Sequence, residues 1–210
     1  MAMEVLCCDL EGVFVPEIWI NVAAATGVEA LKLTTRDVPD YDELMQHRLR
    51  TLDEHGLGMS EITQVIAQMK PLEGAAEFLA WTHEHFQVVI LSDTFYQFAD
   101  PLMRQLGYPT LFCHNLEVDG DGCIVDYHLR LPDQKKAAVQ AFQALNFSVF
   151  AVGDSYNDTR MLLAADRGFL ITPPQKVIDE FPQLPVVWSY DQLKSHLISA
   201  SSRDLSLSEN

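Results

Sequence analysis

Four short apolar runs, each cut off by polar residues, set the strongest limit on how this chain can fold. Val5-Leu6-Cys7-Cys8 runs into Asp9, and Val88-Val89-Ile90-Leu91 runs into Ser92. Val149-Phe150-Ala151-Val152 runs into Gly153-Asp154, and Gly168-Phe169-Leu170-Ile171 into Thr172-Pro173-Pro174. Continuous runs of this length fit strands buried on both faces, as in a parallel sheet covered by helices. Helical patterns over Tyr96–Leu106, Lys135–Leu145 and Asp158–Ala165 separate the later runs. Alternating strands and helices predict an α/β fold with a doubly wound, mainly parallel sheet.

The stretch between the first two runs reads differently. Pro16 to His85 is helical almost throughout. Pro16 suits a first helical position ahead of Ile18-Trp19-Ile20. Asp40 and Glu43 have capping-box spacing before Leu44 and Leu49. Ser60 is expected to cap a helix that carries Ile62, Val65, Ile66 and Met69 on one face. A crossover between parallel strands needs a single helix, so this stretch is expected to be a small helical subdomain inserted after the first strand. The expected division is a core of residues 1–14 and 86–210 and a helical insert of residues 15–85. Asp119-Gly120-Asp121-Gly122, between Leu116-Glu117-Val118 and Cys123-Ile124-Val125, is a hairpin signal. The Ser-rich tail from Ser199 to Asn210 is expected to be partly disordered.

Charge narrows the classes of partner. The formal net charge of the 210 residues is -16. A chain this acidic has no basic stripe to neutralise nucleic-acid phosphates or to dock on anionic membranes. An anionic small-molecule substrate requires a site locally rebuilt with cations. No apolar stretch approaches the ~20 residues of a membrane-spanning helix. No basic start with an apolar core marks a secretory signal. Cys7, Cys8, Cys113 and Cys123 form no CxxC pair and read as reduced, mostly buried thiols, so a cytoplasmic location is expected.

In open α/β sheets ligands sit beyond the carboxyl ends of the strands. Asp9, Glu11, Ser92, Lys135, Asp154 and Asp158 should therefore converge there. Helix capping explains any one of these residues as well as chemistry does, but it explains the whole set poorly. Four carboxylates at one rim repel one another. A hard divalent cation relieves that repulsion, and Mg2+ fits one or two carboxylates together with waters and a phosphate.

These residues carry a resemblance. Asp9-Leu10-Glu11-Gly12-Val13, Ser92, Lys135 and Gly153-Asp154-Ser155-Tyr156-Asn157-Asp158 match in order the four motifs of the haloacid dehalogenase superfamily. The insert resembles that superfamily's C1 cap. Three stretches narrow the resemblance to the phosphoserine phosphatase branch, and most nearly to its bifunctional members that also pass the phosphoryl group to homoserine. They are Asp9–Val13 with Val15–Trp19, Asp37–Arg50 with Pro39-Asp40-Tyr41 and Arg48, and Val88–Gly107 with Leu91–Tyr96. The usual family member has Asp where this chain has Glu11. The resemblance implies that Asp9 is a covalent nucleophile and Glu11 a general acid and base. It implies Mg2+ held by Asp9, the Glu11 main-chain carbonyl and Asp154, with Asp158 in or near the shell. Lys135, Ser92 and the Asp93 N–H are implied to bind the transferring group. Glu17 is implied to pair with the substrate ammonium and Arg48 with its carboxylate, a job suited to a planar guanidinium. Asn157 is placed near the substrate or the Asp158 loop. The implied activity is that of a phosphoserine phosphatase that can also transfer to homoserine, or alternatively a phosphatase for phosphoserine or another small phosphomonoester without transfer. The implied role is in serine or threonine biosynthesis.

Several of these residues have plainer readings. Without the resemblance, Glu17 complements a helix dipole and Arg48 is a solvated helix residue. Of the adjacent pair Lys135 and Lys136, one should be a surface lysine. Ser92 also suits the N-cap of the next helix. His83, His85 and His47 read as ordinary surface or structural residues, Asp119 and Asp121 as turn residues, and Trp19, Trp81 and Trp188 as core aromatics. A signalling receiver domain also uses an aspartyl-phosphate, but its nucleophile follows its acidic pair and its lysine comes last. A catalytically inactive binding protein is disfavoured by the intact motif set.

Overall fold

The computed structural model describes residues 3–34, 37, 38 and 40–205; Pro39 and residues 206–210 lie outside the described residues. Seven strands form one sheet: β1 Met3–Cys8, β2 Gln87–Phe95, β3 Leu111–Val118, β4 Ile124–His128, β5 Phe147–Gly153, β6 Arg167–Ile171 and β7 Val186–Val187. Their order is β4-β3-β2-β1-β5-β6-β7. All neighbours are parallel except β3 and β4, the expected hairpin. The four apolar runs supply the central strands β1, β2, β5 and β6, because a strand under helices on both faces needs no polar alternation.

Alternate residues of each strand feed two separate cores. Leu6, Cys8, Ile90, Phe150, Val152, Phe169 and Ile171 face one side. Val5, Cys7, Val89, Leu91, Val149, Ala151 and Leu170 face the other. The second face is covered by α6 Gln134–Ala144, α7 Thr159–Ala164 and α8 Gln175–Glu180, through Ala138, Val139, Met161, Leu162 and Val177. The first face carries α4 Ala75–His85, α5 Tyr96–Gln105 and α9 Tyr190–Ala200.

A helical cap follows the first strand, as expected. It comprises α1 Ile18–Thr26, a 3₁₀ turn at Glu29–Lys32, α2 Tyr41–Glu54 and α3 Met59–Ile66. The expected insert of residues 15–85 also includes α4. That helix lies against the sheet, with Phe78 stacked on Tyr190 of α9 at 4.9 Å between ring centroids. We therefore place the return from cap to core near Leu72, whose N–H donates to the carbonyl of Phe14 at 2.9 Å.

Several local expectations change. Pro16 lies outside α1, whose N-cap is Glu17. Ser60 lies inside α3, because Gly58 caps that helix where it meets the hairpin tip. Ser92 does not cap α5, because the extended backbone continues to Phe95. Asp40 does cap α2, accepting from the Glu43 N–H at 2.9 Å. His85 is buried, with Nδ1 against the Trp81 carbonyl, while Trp188 is exposed. Cys123 is the exposed thiol; Cys7, Cys8 and Cys113 are buried. Within the Ser-rich tail, Ser199 and Ala200 end α9, and Ser201, Ser202 and Arg203 are pinned to the buried carboxylate of Glu4. No described helix is long and apolar enough to cross a membrane.

Candidate active site

The carboxyl ends of β1 and β5 are locked together, since the Asp9 N–H donates to the Val152 carbonyl at 2.9 Å. That bond brings the residues after each strand to one rim. Asp9, Asp154 and Asp158 each offer a carboxylate oxygen there, all within 4.8 Å of one another. Two glycines make the approach possible. Gly12 has φ +75°, and a Cβ on it would run into the Asp154 carboxylate. A Cβ on Gly153 would meet the Asp158 side chain.

Lys135 sits in the middle of this acidic group. Its Nζ lies 2.9 Å from Asp9 Oδ1, 2.8 Å from Asp158 Oδ1 and 3.5 Å from Asp93 Oδ2. It is 3% exposed, which decides between the two adjacent lysines, because Lys136 is partly exposed. Burial alone disfavours its charge, but Asp158, Asp9 and Asp93 outweigh that and hold the ammonium protonated well above the usual range. One cation does not balance this rim. Burial, then the Asp158 charge, pushes the Asp9 carboxyl well up, against the pull of Lys135. Burial and Asp158 raise Asp154 to about 7. Asp158 uses both oxygens, one on Lys135 and the other accepting from the N–H groups of Asp154 at 3.0 Å and Ser155 at 3.2 Å.

A second group lies on the cap side. The carboxylate of Glu11 accepts from the Ile18 N–H, at the start of α1, at 2.8 Å. Burial, then the neighbouring Glu17 carboxylate, raises Glu11 to about 8, while Arg48 pulls it down. Arg48 is 7% exposed rather than solvated. Its guanidinium stands 4.5 Å from the Trp19 ring centroid, and one amino group donates to the Leu33 carbonyl at 2.9 Å. Its buried Nε has no hydrogen-bond partner among the described residues. A buried guanidinium with an unused donor, beside two carboxylates, suits a ligand that carries both signs of charge.

Ser92 is buried, with Oγ accepting from the Thr94 N–H at 3.3 Å. Asn157 is exposed and donates from Nδ2 to Asp93 Oδ2 at 3.2 Å. Asp93 also meets Gln134 Nε2 at 3.3 Å and His114 Nε2 at 3.6 Å. Burial raises its carboxyl, but Lys135, His114, Asn157 and Gln134 outweigh burial and hold it well below the carboxylate range. Gln134, His114 and Tyr41 were not singled out as site residues from sequence. Gln134 had a signal as the neighbour of Lys135, and Tyr41 as part of the Pro39-Asp40-Tyr41 stretch, whereas His114 had none.

A mostly parallel sheet with a cap after its first strand, and a buried lysine among carboxylates at the β1/β5 rim, defines a class of hydrolase. A sequence model of the haloacid dehalogenase-like hydrolases matches residues 9–166, and the chain belongs to that family. It is 60% identical over 205 residues to a phosphoserine phosphatase, ThrH, of Pseudomonas aeruginosa, covering 98% of this chain and 100% of that one. It is 58% identical over 206 residues to a phosphoserine phosphatase of Pseudomonas syringae pv. tomato, covering 98% of this chain and 87% of that one. Among solved structures, a phospho-aspartyl intermediate analogue of a phosphoserine phosphatase shares the fold at a TM-score of 0.77. Its sequence identity is 16%, with 93% of this chain and 99% of that one covered.

Proposed function

We propose that this hydrolase removes the phosphoryl group from phosphoserine with Mg2+, and can hand it to homoserine in place of water. The observation that carries this reading is Asp9: a buried carboxylate at the end of β1, 2.9 Å from Lys135 and within 4.8 Å of two further carboxylates. The high identity to two phosphoserine phosphatases supports the choice of substrate.

The donor set fits a hard divalent ion. Asp9 and Asp154 are both pushed toward protonation by burial and by repulsion from Asp158, which a cation would reverse. Asp9, Asp154 and the Glu11 main-chain carbonyl would hold Mg2+, with Asp158 bracing the loop. Bound there, the ion supplies charge neutralisation for the phosphoryl oxygens.

The chain's own residues carry the steps. A carboxylate oxygen of Asp9 forms a bond to phosphorus as the bond from phosphorus to the serine oxygen breaks. Glu11, protonated below about 8, gives its proton to that departing oxygen. In the second half, Glu11 takes a proton from water or from the homoserine hydroxyl, whose oxygen attacks phosphorus and frees Asp9. Lys135, the Ser92 hydroxyl and the Asp93 N–H hold the phosphoryl oxygens throughout. Glu17 faces the substrate ammonium and Arg48 its carboxylate, with Asn157 at the edge. A role in serine or threonine biosynthesis in the cytoplasm is part of this proposal.

Incubation with phosphoserine and Mg2+, with and without homoserine, tests the reading. Free phosphate is expected in both, and phosphohomoserine in the second. Phosphate alone in both would confine the enzyme to hydrolysis, and no turnover in either would remove phosphoserine as substrate.

A further inference from the structure

The ladder between β2 and β3 is interrupted above the site. Leu91 pairs with Phe112, but Phe95 pairs with His114, so Ser92, Asp93 and Thr94 bulge out of register. A bulge takes backbone groups out of the ladder, and buried ones must find other partners. The Ser92 carbonyl accepts from Gln134 Nε2. The Asp93 carbonyl accepts from the Tyr41 hydroxyl at 2.9 Å, and Tyr41 is the first residue of cap helix α2. Burial and the Asp93 charge push the Tyr41 phenol well up, so its oxygen keeps the proton it donates.

One residue thus receives the cap on its backbone and holds the machinery with its side chain. The Asp93 carboxylate touches Lys135 at 3.5 Å and Asn157 at 3.2 Å. His114 is aimed at it as a donor: its Nδ1 accepts from the Arg130 N–H at 3.0 Å, which leaves Nε2 to carry the ring N–H. The β3–β4 hairpin seats the same part of the cap. Tyr127 donates to Asp42, its ring stands edge-on to Tyr41 with centroids 6.1 Å apart, and the Met59 N–H donates to the Gly122 carbonyl at 2.9 Å.

We propose that Tyr41 is a positioning residue that couples the seated cap to Lys135 through Asp93. Its hydroxyl fixes the Asp93 backbone in the bulge, and thereby the carboxylate that steadies the ammonium beside Asp9. The inference rests on the proposed phosphoryl transfer at Asp9. A plainer role, satisfying one orphaned carbonyl, predicts no link to Lys135.

A double-mutant cycle on the Mg2+-loaded enzyme separates the two, using Tyr41→Phe, Asp93→Asn and both together. Loss of one such hydrogen bond is expected to lower kcat about fivefold to tenfold, with KM within about twofold. In the Asp93→Asn background the same change is expected to cost less than about twofold. Tyr127→Phe, which loosens α2 without touching Asp93, is expected to be additive with Asp93→Asn. Hydrogen exchange across residues 41–54 is expected to rise in Tyr41→Phe. Unchanged kcat, an equal loss in both backgrounds, or unchanged exchange would overturn the proposal. Running the cycle on para-nitrophenyl phosphate as well keeps a wrong substrate distinct from a wrong coupling. Turnover of that ester without turnover of phosphoserine sinks only the phosphoserine reading.

Discussion

Lys135 carries one positive charge against Asp9, Asp93 and Asp158, so the rim is acidic in excess without a metal. This gives substitution of Asp9 two effects of opposite sign. Asp9→Asn removes the nucleophile and is expected to abolish phosphoserine turnover. It also removes a buried carboxyl whose ionised form is disfavoured by burial and by Asp158, so the EDTA-treated variant is expected to melt above the wild type. Thermal melts in EDTA with parallel turnover assays check both; a lower melting temperature would contradict the repulsion. At this scale much of the site was legible, because a polar residue ending an apolar run has to lie at the strand's rim. Asp9, Asp154 and Asp158 did converge, and Lys135 proved to be the buried lysine of its pair. The contacts of Gln134, His114 and Tyr41 with Asp93 were not legible, because they depend on a bulge that no periodicity announces.

Strand identity was read from the sequence more securely than helix starts. Central strands are set by continuous apolar composition, whereas a helix start depends on what the preceding residue meets. Ser60 looked like a cap, but Gly58 starts α3 because a Cβ there would crowd the Gly122 carbonyl of the hairpin. Pro16 looked like a first helical residue, but Glu17 holds the N-cap position of α1 without a side-chain bond, and the Glu11 carboxylate accepts from the Ile18 N–H instead. Asp40 behaved as its spacing implied, and it caps the helix that carries Tyr41 and Arg48. Asp40→Ala is therefore expected to cost about 1 kcal/mol in chemical denaturation. Its effect should appear first as faster hydrogen exchange in the opening turn of α2, with the sheet unchanged. Equal acceleration in β1 and β5 would show that α2 does not fray separately from the core.

Across the whole molecule, buried carboxyls are shifted in opposite directions, and the sign of each shift sets a limb of the stability curve. Glu11 at about 8 and Asp154 at about 7 are raised, so the stability they lend is fully present below the usual carboxyl range, near pH 4. It is lost as pH rises through their folded values. Asp93 and Glu4 are lowered, so their contribution is present above that range and lost as pH falls. The metal-free protein is expected to be most stable in mildly acidic solution. Mg2+ should flatten only the alkaline limb, because the raised carboxyl of Asp154 belongs to the proposed metal cluster and the lowered ones do not. Melting curves across pH with EDTA or Mg2+ check this, and a uniform rise at every pH would contradict it.

Glu4 also has a consequence for how the chain is made. It lies in β1, yet Ser201, Ser202 and Arg203, which donate hydrogen bonds to it, stand 197 to 199 positions downstream. On a translating ribosome this carboxylate stays without those donors until the helix after β7 has left the exit tunnel. Part of the first strand to be made therefore gains its side-chain partners only after residue 203 has emerged, so this one carboxylate is among the earliest groups synthesised and among the last to be satisfied.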